Sequence, residues 1–576
     1  MKLFHKLLLI ALIWGVSSCE LTDLDLQDNP NAVSPDQASV GDIFNRIQLD
    51  FKDFYNANWR FGGTLARMVH TTAGFTYQDF FSPSDFNFIW TEAYARIFPD
   101  IDALLAIAAE RGLDVHAGIA KILKAYVLVT LVDTFGDVPL TEAGQGSENF
   151  GPKDDPGQDV YAAAEAMLDD AIAQLSNTVA APPTNDIYYG GDVAKWITLA
   201  KTMKLKMAVT TRRVDSKAKD KINALIAEGD LIDEASEDFE FKYGTNRTNP
   251  NSRHPFYNEH YESSDGGYMS NYFMWLMRAE KVDDDGNFVI DPRIRFYFYR
   301  QVRDAAAQNV NVYSCIHSDL PDPAMKPQHY IDVDPNLPYC IVLPGDGYYG
   351  RDHLNGSGIP PDGPIRTVHG LYPGGGKFDD NSFGNVQNQG TDGGLGAGIN
   401  PIILSSFVDF WRAEAAITLG TNDDPRALLE SGVRKSIDKV FSFKSLVSAD
   451  MAREITDPIT GEVRTVEELF VPSDSTVNAY VDFVLNRYDN ASSDEERLDV
   501  VMKEFLIALW GNGIEAYNNY RRTGMPLKIQ PCIDPACGEF ARSAFYPAVH
   551  VDFNQNATQK SITDPVWWDP GDLNLY

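Results

Sequence analysis

The chain has 576 residues, 44% apolar and 12% aromatic, and 82 acidic against 49 basic residues give it a formal charge of −33. Such a chain can bury a large core and is neither disordered nor fibrous, while its 43 glycines and 32 prolines predict many loops. The charge repels polyphosphate and no basic run exceeds Arg212-Arg213 or Arg521-Arg522, which excludes a nucleic-acid binder; the acidity itself reads as a solvated surface.

Lys2, His5 and Lys6 precede an apolar run over 7–14 that is too short to span a bilayer, so 1–18 reads as an export signal. It ends in Val16-Ser17-Ser18-Cys19, which resembles a bacterial lipobox. There Cys19 would be acylated and become the mature N-terminus; the alternative is an ordinary leader with a chance cysteine. Several acyl chains, at ~0.8 kcal/mol per buried methylene, anchor a protein without a transmembrane helix. Residues 19–39, with Glu20, Asp23, Asp25 and Asp28, follow as an acidic tether, and 40–576 reads as a single domain.

Apolar residues at Val40, Ile43, Phe44, Ile47 and Phe51 predict a first helix over 40–54. An aromatic-rich loop over 74–88 leads to a helix over 90–109, with Trp90, Tyr94, Ile97, Ile101 and Leu104 on one face. The stretch 117–143 organises the chain: Ile119, Ile122, Leu123, Tyr126 and Val129 share a stripe, and Gly136 and Pro139 then end the helix in a sharp turn. Further helices are predicted over 160–175 and 191–213. After a loop-rich excursion over 242–400, with a short helix at 269–279, helices return over 402–419, from Pro425 to 440, and over 498–519. Small residues at packing positions suggest tetratricopeptide-like hairpins, each burying its stripe against a neighbour. The domain thus divides into a helical scaffold (40–241 and 401–530), a loop-rich ligand lobe (242–400) and a C-terminal tail (531–576).

The turn Asp133-Thr134-Phe135-Gly136-Asp137-Val138-Pro139-Leu140 resembles the signature of SusD/RagB-type outer-membrane lipoproteins of Bacteroidota. So do Trp90 and Tyr94, the 191–213 segment, the Arg412-Ala413-Glu414-Ala415 helix, Asp291-Pro292-Arg293, and Tyr520-Arg521-Arg522-Thr523-Gly524-Met525-Pro526. The ending, with Phe545-Tyr546-Pro547-Ala548, Asn554-Gln555-Asn556 and Val566-Trp567-Trp568-Asp569, is similar to the family's C-terminal strand and loop. Tyr348-Tyr349-Gly350-Arg351-Asp352 and Leu371-Tyr372-Pro373-Gly374-Gly375 resemble its second subfamily. The resemblance implies a mainly α fold, a tetratricopeptide-like superhelix of four helix pairs carrying an irregular lobe. It also implies a lipid-anchored protein facing out from the outer membrane, with the acidic patch behind Cys19 as the display signal. Its implied work is non-catalytic capture of an oligosaccharide and delivery to a SusC-like TonB-dependent transporter. A peptide or another nutrient in the same lid role is the alternative, and a surface glycoside hydrolase a third reading.

No His-Glu-x-x-His pair and no Gly-x-Ser-x-Gly elbow occurs, and Gly393-Gly394-Leu395-Gly396-Ala397-Gly398 lacks the strand and lysine of a phosphate cradle. No catalytic residue, metal site or cofactor is therefore expected. Asp283-Asp284-Asp285-Gly286-Asn287 offers oxygens for a structural calcium but has Ile294 at loop position twelve, so a solvated turn is the expectation. Beyond Cys19, an even number of cysteines remains in an oxidising route. Cys532 and Cys537 are easily closed on themselves, and Cys315 and Cys340 bracket a Pro-rich excursion; a zinc site is the alternative. A sugar binder needs an aromatic platform beside amide, carboxylate or guanidinium groups, and the loop candidates are Tyr77 with Asp79 and Phe81, the segment from Tyr268 to Trp275, and Tyr349 with Arg351. The competing reading of each ring is that it packs the lobe onto the helices.

Overall fold

In a computed structural model the described residues are 39–70, 74–263, 267–303, 326–356, 366–386, 389–457 and 460–576. The leader, Cys19, the acidic tether up to Ala38 and Cys315 lie outside them.

The predicted stripes become antiparallel helix pairs. The scaffold helices are α1 (Val40–Leu65), α2 (Phe98–Arg111), α3 (Asp114–Phe135), α4 (Gly157–Asn177), α5 (Val193–Thr210) and α6 (Ala218–Glu228). The lobe contributes α7 (Asn271–Arg278), and the scaffold resumes with α8 (Ser405–Leu419), α9 (Pro425–Ser442), α10 (Asp474–Asp489), α11 (Asp494–Ala508) and α12 (Gly513–Thr523). Successive helices pack on one another from α2 to α6 and from α8 to α11, and α12 returns to lie against α1. The protein is mainly α, as the periodicity predicts.

Helix α3 is the centre of the stack. Among the described helices it alone has the length and hydropathy of a membrane span, yet 83% of its most apolar window is buried inside the protein, as for a core helix. At its end Gly136 takes φ +87 and ψ −119, a conformation that only glycine adopts without strain, and the chain turns so that Val138 bridges Asp155. Asp133, only 1% exposed, accepts from Tyr161 of α4, from Asn518 of α12 at 2.8 Å and from Trp568 of the tail at 2.9 Å. Lys206 of α5 lies 3.6 Å from the same carboxylate. Beside it, Glu414 of α8 takes a bidentate pair from Arg522 at 2.7 and 2.8 Å and a third contact from Arg212 at 2.9 Å. Residues from distant parts of the sequence resemblance thus meet in one buried network, where each charge has an opposite partner.

Several boundaries differ from expectation. The helix predicted over 498–519 is two helices, because Gly511 at φ +102 breaks it and Asn512 caps α12 by accepting from Glu515 N at 3.2 Å. The apolar run from Ile402 begins as strand, and α8 starts only at Ser405. α6 and α10 are additional helices, and α1 runs to Leu65. The 74–88 loop holds the helical turns Tyr77–Phe80 and Pro83–Phe86, and a π segment, Glu92–Ile97, joins Asn87–Thr91 to α2. The tail contains the short helix Ala548–Phe553 and, among its described residues, no strand.

The described strands are β1 (Val69–His70), β2 (Phe239–Lys242), β3 (Tyr268–Met269), β4 (Phe298–Tyr299), β5 (Val368–His369), β6 (Ile399–Ile403), β7 (Glu454–Thr456) and β8 (Val463–Thr465). They pair antiparallel as β1 with β3, β2 with β6, β4 with β5 and β7 with β8. Two-stranded ribbons this short supply little stability, so side chains hold the lobe. An aromatic seam does much of this: Trp59 of α1 meets Phe256 at 4.3 Å, Phe256 stacks on His369 at 4.1 Å, and Trp510 stacks on Phe273 at 5.0 Å. A second tie is Arg293 of the Asp-Pro-Arg motif, which holds Asp291 at 2.6 Å, Glu504 of α11 at 3.0 Å and Ser436 of α9 at 2.9 Å.

His70, His254, His260, His353 and His369 are all buried, and burial lowers the affinity of each ring for a proton. His70 and His260 are brought down to about 4. Between that value and the ordinary 6.5 the unfolded chain binds protons that the folded chain refuses, so stability falls as pH falls. The loss amounts to roughly 3 kcal/mol for each of these two rings by pH 4. Glu92 and Asp352, pushed up by burial to about 7 and about 6, act in the opposite sense, as do Asp50, Asp100, Asp238, Asp409 and Asp438, which burial also raises. Glu259, which despite its burial is held down at about 2 by Arg60, acts with the histidines, whose shifts are taken as the larger effect between pH 7 and 4.5. Urea unfolding is therefore expected to show a lower midpoint at pH 4.5 than at pH 7, and an unchanged or higher midpoint would contradict this account.

Candidate ligand-binding cleft

Helix α7 carries Tyr272 and Trp275 three residues apart, so both rings fall on one face, with centroids 5.9 Å apart. They form the floor of a cleft of about 1300 Å³ where the lobe meets the late scaffold helices. The turn after α7 adds Val282 and Phe288, which bridge each other across Asp283 to Asn287 and stand 45% and 44% exposed. From 334–344 come Tyr339, Ile341, Val342 and Leu343. The opposite wall is α10, with Phe483, Asn486, Arg487 and its C-terminal cap Asn490, and α11, with Glu496, Asp499, Val500 and Lys503. Each set has the i, i+3, i+4, i+7 spacing of one helical face. The described chain's other cavities include two apolar interstices of about 10 Å³, each with room for a water at most.

Aromatic rings therefore line the floor and part of the wall, and the side-chain amides of Asn336, Asn486 and Asn490 lie around them. Glu280 sits at the base. Burial pushes its carboxyl up, but Lys503, Lys281 and Arg487 outweigh that and hold it well below the usual carboxylate range. Arg487 reaches it at 2.8 and 3.0 Å and Lys503 at 3.1 Å, and Lys503 also holds Asp499 at 2.9 Å. These pairs fix α10 and α11 against the lobe, so the cleft is preformed. Chemically the arrangement offers flat apolar faces for C–H groups and amides for hydroxyls.

Of the residues singled out from sequence, Trp275 lines this cleft, with Tyr272 of the same segment and with Asp283 and Asp284 of the acidic turn. Tyr77 is buried, accepting from Arg67 at 3.2 Å and lying 3.0 Å from His353. Asp79 is exposed and accepts from Thr76 at 2.8 Å; Phe81 is half-buried between Phe61 and Phe80. Tyr268 and Arg351 are brought together, the guanidinium 4.1 Å from the ring centre, with Arg366 at 4.9 Å. Both are buried, as is Tyr349, whose hydroxyl donates to Arg303 O at 3.2 Å. These four buried residues pack the lobe and present no open platform. Phe288, Tyr339, Phe483, Asn486 and Asn490 went unread; the helical spacing of Phe483, Asn486 and Asn490, with polar residues among apolar ones, was the available signal.

Cys532 and Cys537 form a disulfide, and Cys340 is also disulfide-bonded. The Asp283 carboxylate accepts from the backbone N–H of Asp285 at 3.0 Å and Asn287 at 2.8 Å, which structures the turn. Among the described residues no group of three or more His, Cys, Asp or Glu is arranged to hold a metal ion.

Residues 30–336 match a family model described as SusD-like, starch-binding associating with outer membrane, and residues 400–562 match one described as SusD and RagB outer membrane lipoprotein. Among solved structures, a SusD homolog from Bacteroides uniformis is similar with a TM-score of 0.62 at 18% identity, over 92% of this chain and 99% of that one. A chitin-binding SusD homolog from Flavobacterium johnsoniae is similar with a TM-score of 0.60 at 18% identity, over 92% and 98%. A SusD/RagB family protein from Bacteroides thetaiotaomicron gives 0.61 at 18% identity, over 93% and 100%. Comparison with the curated proteins finds no match.

Proposed function

This chain belongs to the SusD/RagB family of outer-membrane lipoproteins, and from that premise we propose that it is a non-catalytic glycan receptor held at the cell surface. It takes an oligosaccharide into the cleft between lobe and scaffold and passes it to a TonB-dependent transporter, with Cys19 acylated as its anchor. The observation that carries the reading is the cleft itself: Phe288, Tyr339 and Phe483 supply accessible ring faces above a floor closed by the buried Tyr272 and Trp275, with amides from Asn336, Asn486 and Asn490 beside them. Its volume of about 1300 Å³ exceeds that of a small-molecule pocket and suits several sugar rings. The family description as starch-binding and the chitin-binding relative favour a saccharide over a peptide.

The test is calorimetric titration with a panel of oligosaccharides. Phe288 and Phe483 are not buried in the core, so Phe288→Ala and Phe483→Ala should leave the melting temperature unchanged. Each is expected to weaken binding about tenfold, the loss of roughly 1.4 kcal/mol of ring contact. Full affinity in the double variant would remove the cleft from consideration. For delivery, purification of the lipidated protein from its native membrane is expected to bring a large β-barrel with it, and its recovery alone would count against a transporter partner.

A further inference from the structure

The charged groups of the cleft are not evenly matched. Glu280, Asp283, Asp284, Asp334, Glu496 and Asp499 face it, against Lys326, Arg487, Lys503 and Lys528. Every cation there is already engaged. Arg487 and Lys503 hold Glu280, Lys503 also holds Asp499, and Lys528 pairs with Asp334 at 3.0 Å. Lys326 is turned into the backbone, donating to the carbonyls of Pro335 and Leu337 at 2.7 Å each.

Three carboxylates lack such a partner among the described residues. Asp283 and Glu496 accept only neutral donors, the latter from Ser492 N at 2.6 Å and Ser492 Oγ at 2.8 Å. Asp284 projects from the exposed tip of the turn. An acidic sugar is held by bidentate or charge-assisted bonds from arginine or lysine, and here each such bond would first have to break an existing one. A bound uronate or sulfate would also sit in the negative field of the unpaired carboxylates.

We propose that the cleft is a charge filter: it takes uncharged or amine-bearing saccharides and rejects those bearing uronate or sulfate groups. This rests on the receptor reading above and names the substrate class of the same site. Aromatic faces and amides bind neutral rings without any free cation, and amine-bearing sugars gain from the uncompensated carboxylates.

The test uses matched pairs of equal length on several backbones: β-1,4-glucan and its glucuronan, mannan and mannuronan, chitin oligomers and their sulfated forms, with de-N-acetylated chitin oligomers added. At low salt the neutral member of a pair is expected to bind on the order of tenfold more tightly than the anionic one, the worth of a close like-charge contact. The gap should narrow at about 1 M salt, where screening acts within ~3 Å. It should also narrow in Asp284→Lys, a change at an exposed turn tip whose folding is checked by its melting curve. Anionic members binding as well as neutral ones would overturn the filter and leave the receptor reading intact. A gap that ignores both salt and Asp284→Lys would make the exclusion steric and also overturn it. Binding of no member by the wild-type protein would overturn the receptor reading and the filter together.

Discussion

Replacing Asp133 with alanine is expected to lower the unfolding free energy by about 3–5 kcal/mol, the cost of removing one partner from a buried ion network. The substitution leaves Trp568 Nε1, Asn518 Nδ2 and the Tyr161 hydroxyl without their acceptor, and Lys206 keeps only Glu515, at 3.2 Å, as a counter-charge. None of the three donors can reach water instead, because Trp568, Asn518 and Tyr161 are all buried. The Asp133→Asn variant keeps the shape and one acceptor oxygen, so its loss should be smaller. Urea denaturation followed by circular dichroism distinguishes the two. A midpoint for Asp133→Ala close to that of the wild type would mean that the signature turn is held by backbone geometry alone.

The second large effect is expected at Gly513. Helices α1 and α12 cross with backbone against backbone: a Cβ on Gly513 would lie 2.0 Å from the carbonyl oxygen of Trp59, and one on Gly62 would lie 2.3 Å from Gly513 O. Neither contact can be relieved by rotating a side chain, because the obstructing atoms are main chain. Gly513→Ala therefore has to push the two helices apart, disturbing Trp59 and with it the seam to Phe256 and Trp510. The expected loss is about 3 kcal/mol or more, at the upper end for overpacking. Gly41→Ala, at the far end of α1, is the control, since its Cβ meets nothing closer than 3.6 Å and alanine is the better helix former. Equal melting temperatures for Gly513→Ala and Gly41→Ala would refute the close crossing.

The scaffold was legible because its helices bury regular stripes: Ile119, Ile122, Leu123 and Tyr126 repeat as a helix requires, and Gly136 marks the stop. The break at Gly511 was not, since Leu506, Ile507, Leu509, Trp510 and Ile514 continue the apolar pattern through it. Strand β6 was hidden for a similar reason, its Ile402 and Ile403 joining the stripe of α8. The family motifs were readable singly, yet nothing local shows that Asp133, Asn518 and Trp568 meet.

The cleft was the least legible part. Tyr77, Tyr268 and Tyr349 look like loop aromatics, but a lobe with such short strands has to make its core from them. Phe483 looks like one more apolar residue of an amphipathic helix, and only the gap between α10 and the lobe leaves its ring facing open space. Exposure of an aromatic residue is decided by what fails to cover it, which is a property of the assembled fold.

The return of α12 onto α1, with Trp568 threaded back to α3, gives the stack a closed circuit. An open solenoid tolerates the gain or loss of a repeat at either end because each unit answers only to its neighbours. Here the first and last hairpins share one boundary, so an added or deleted unit would leave the ring unable to shut, and only the loops can take up a change in length.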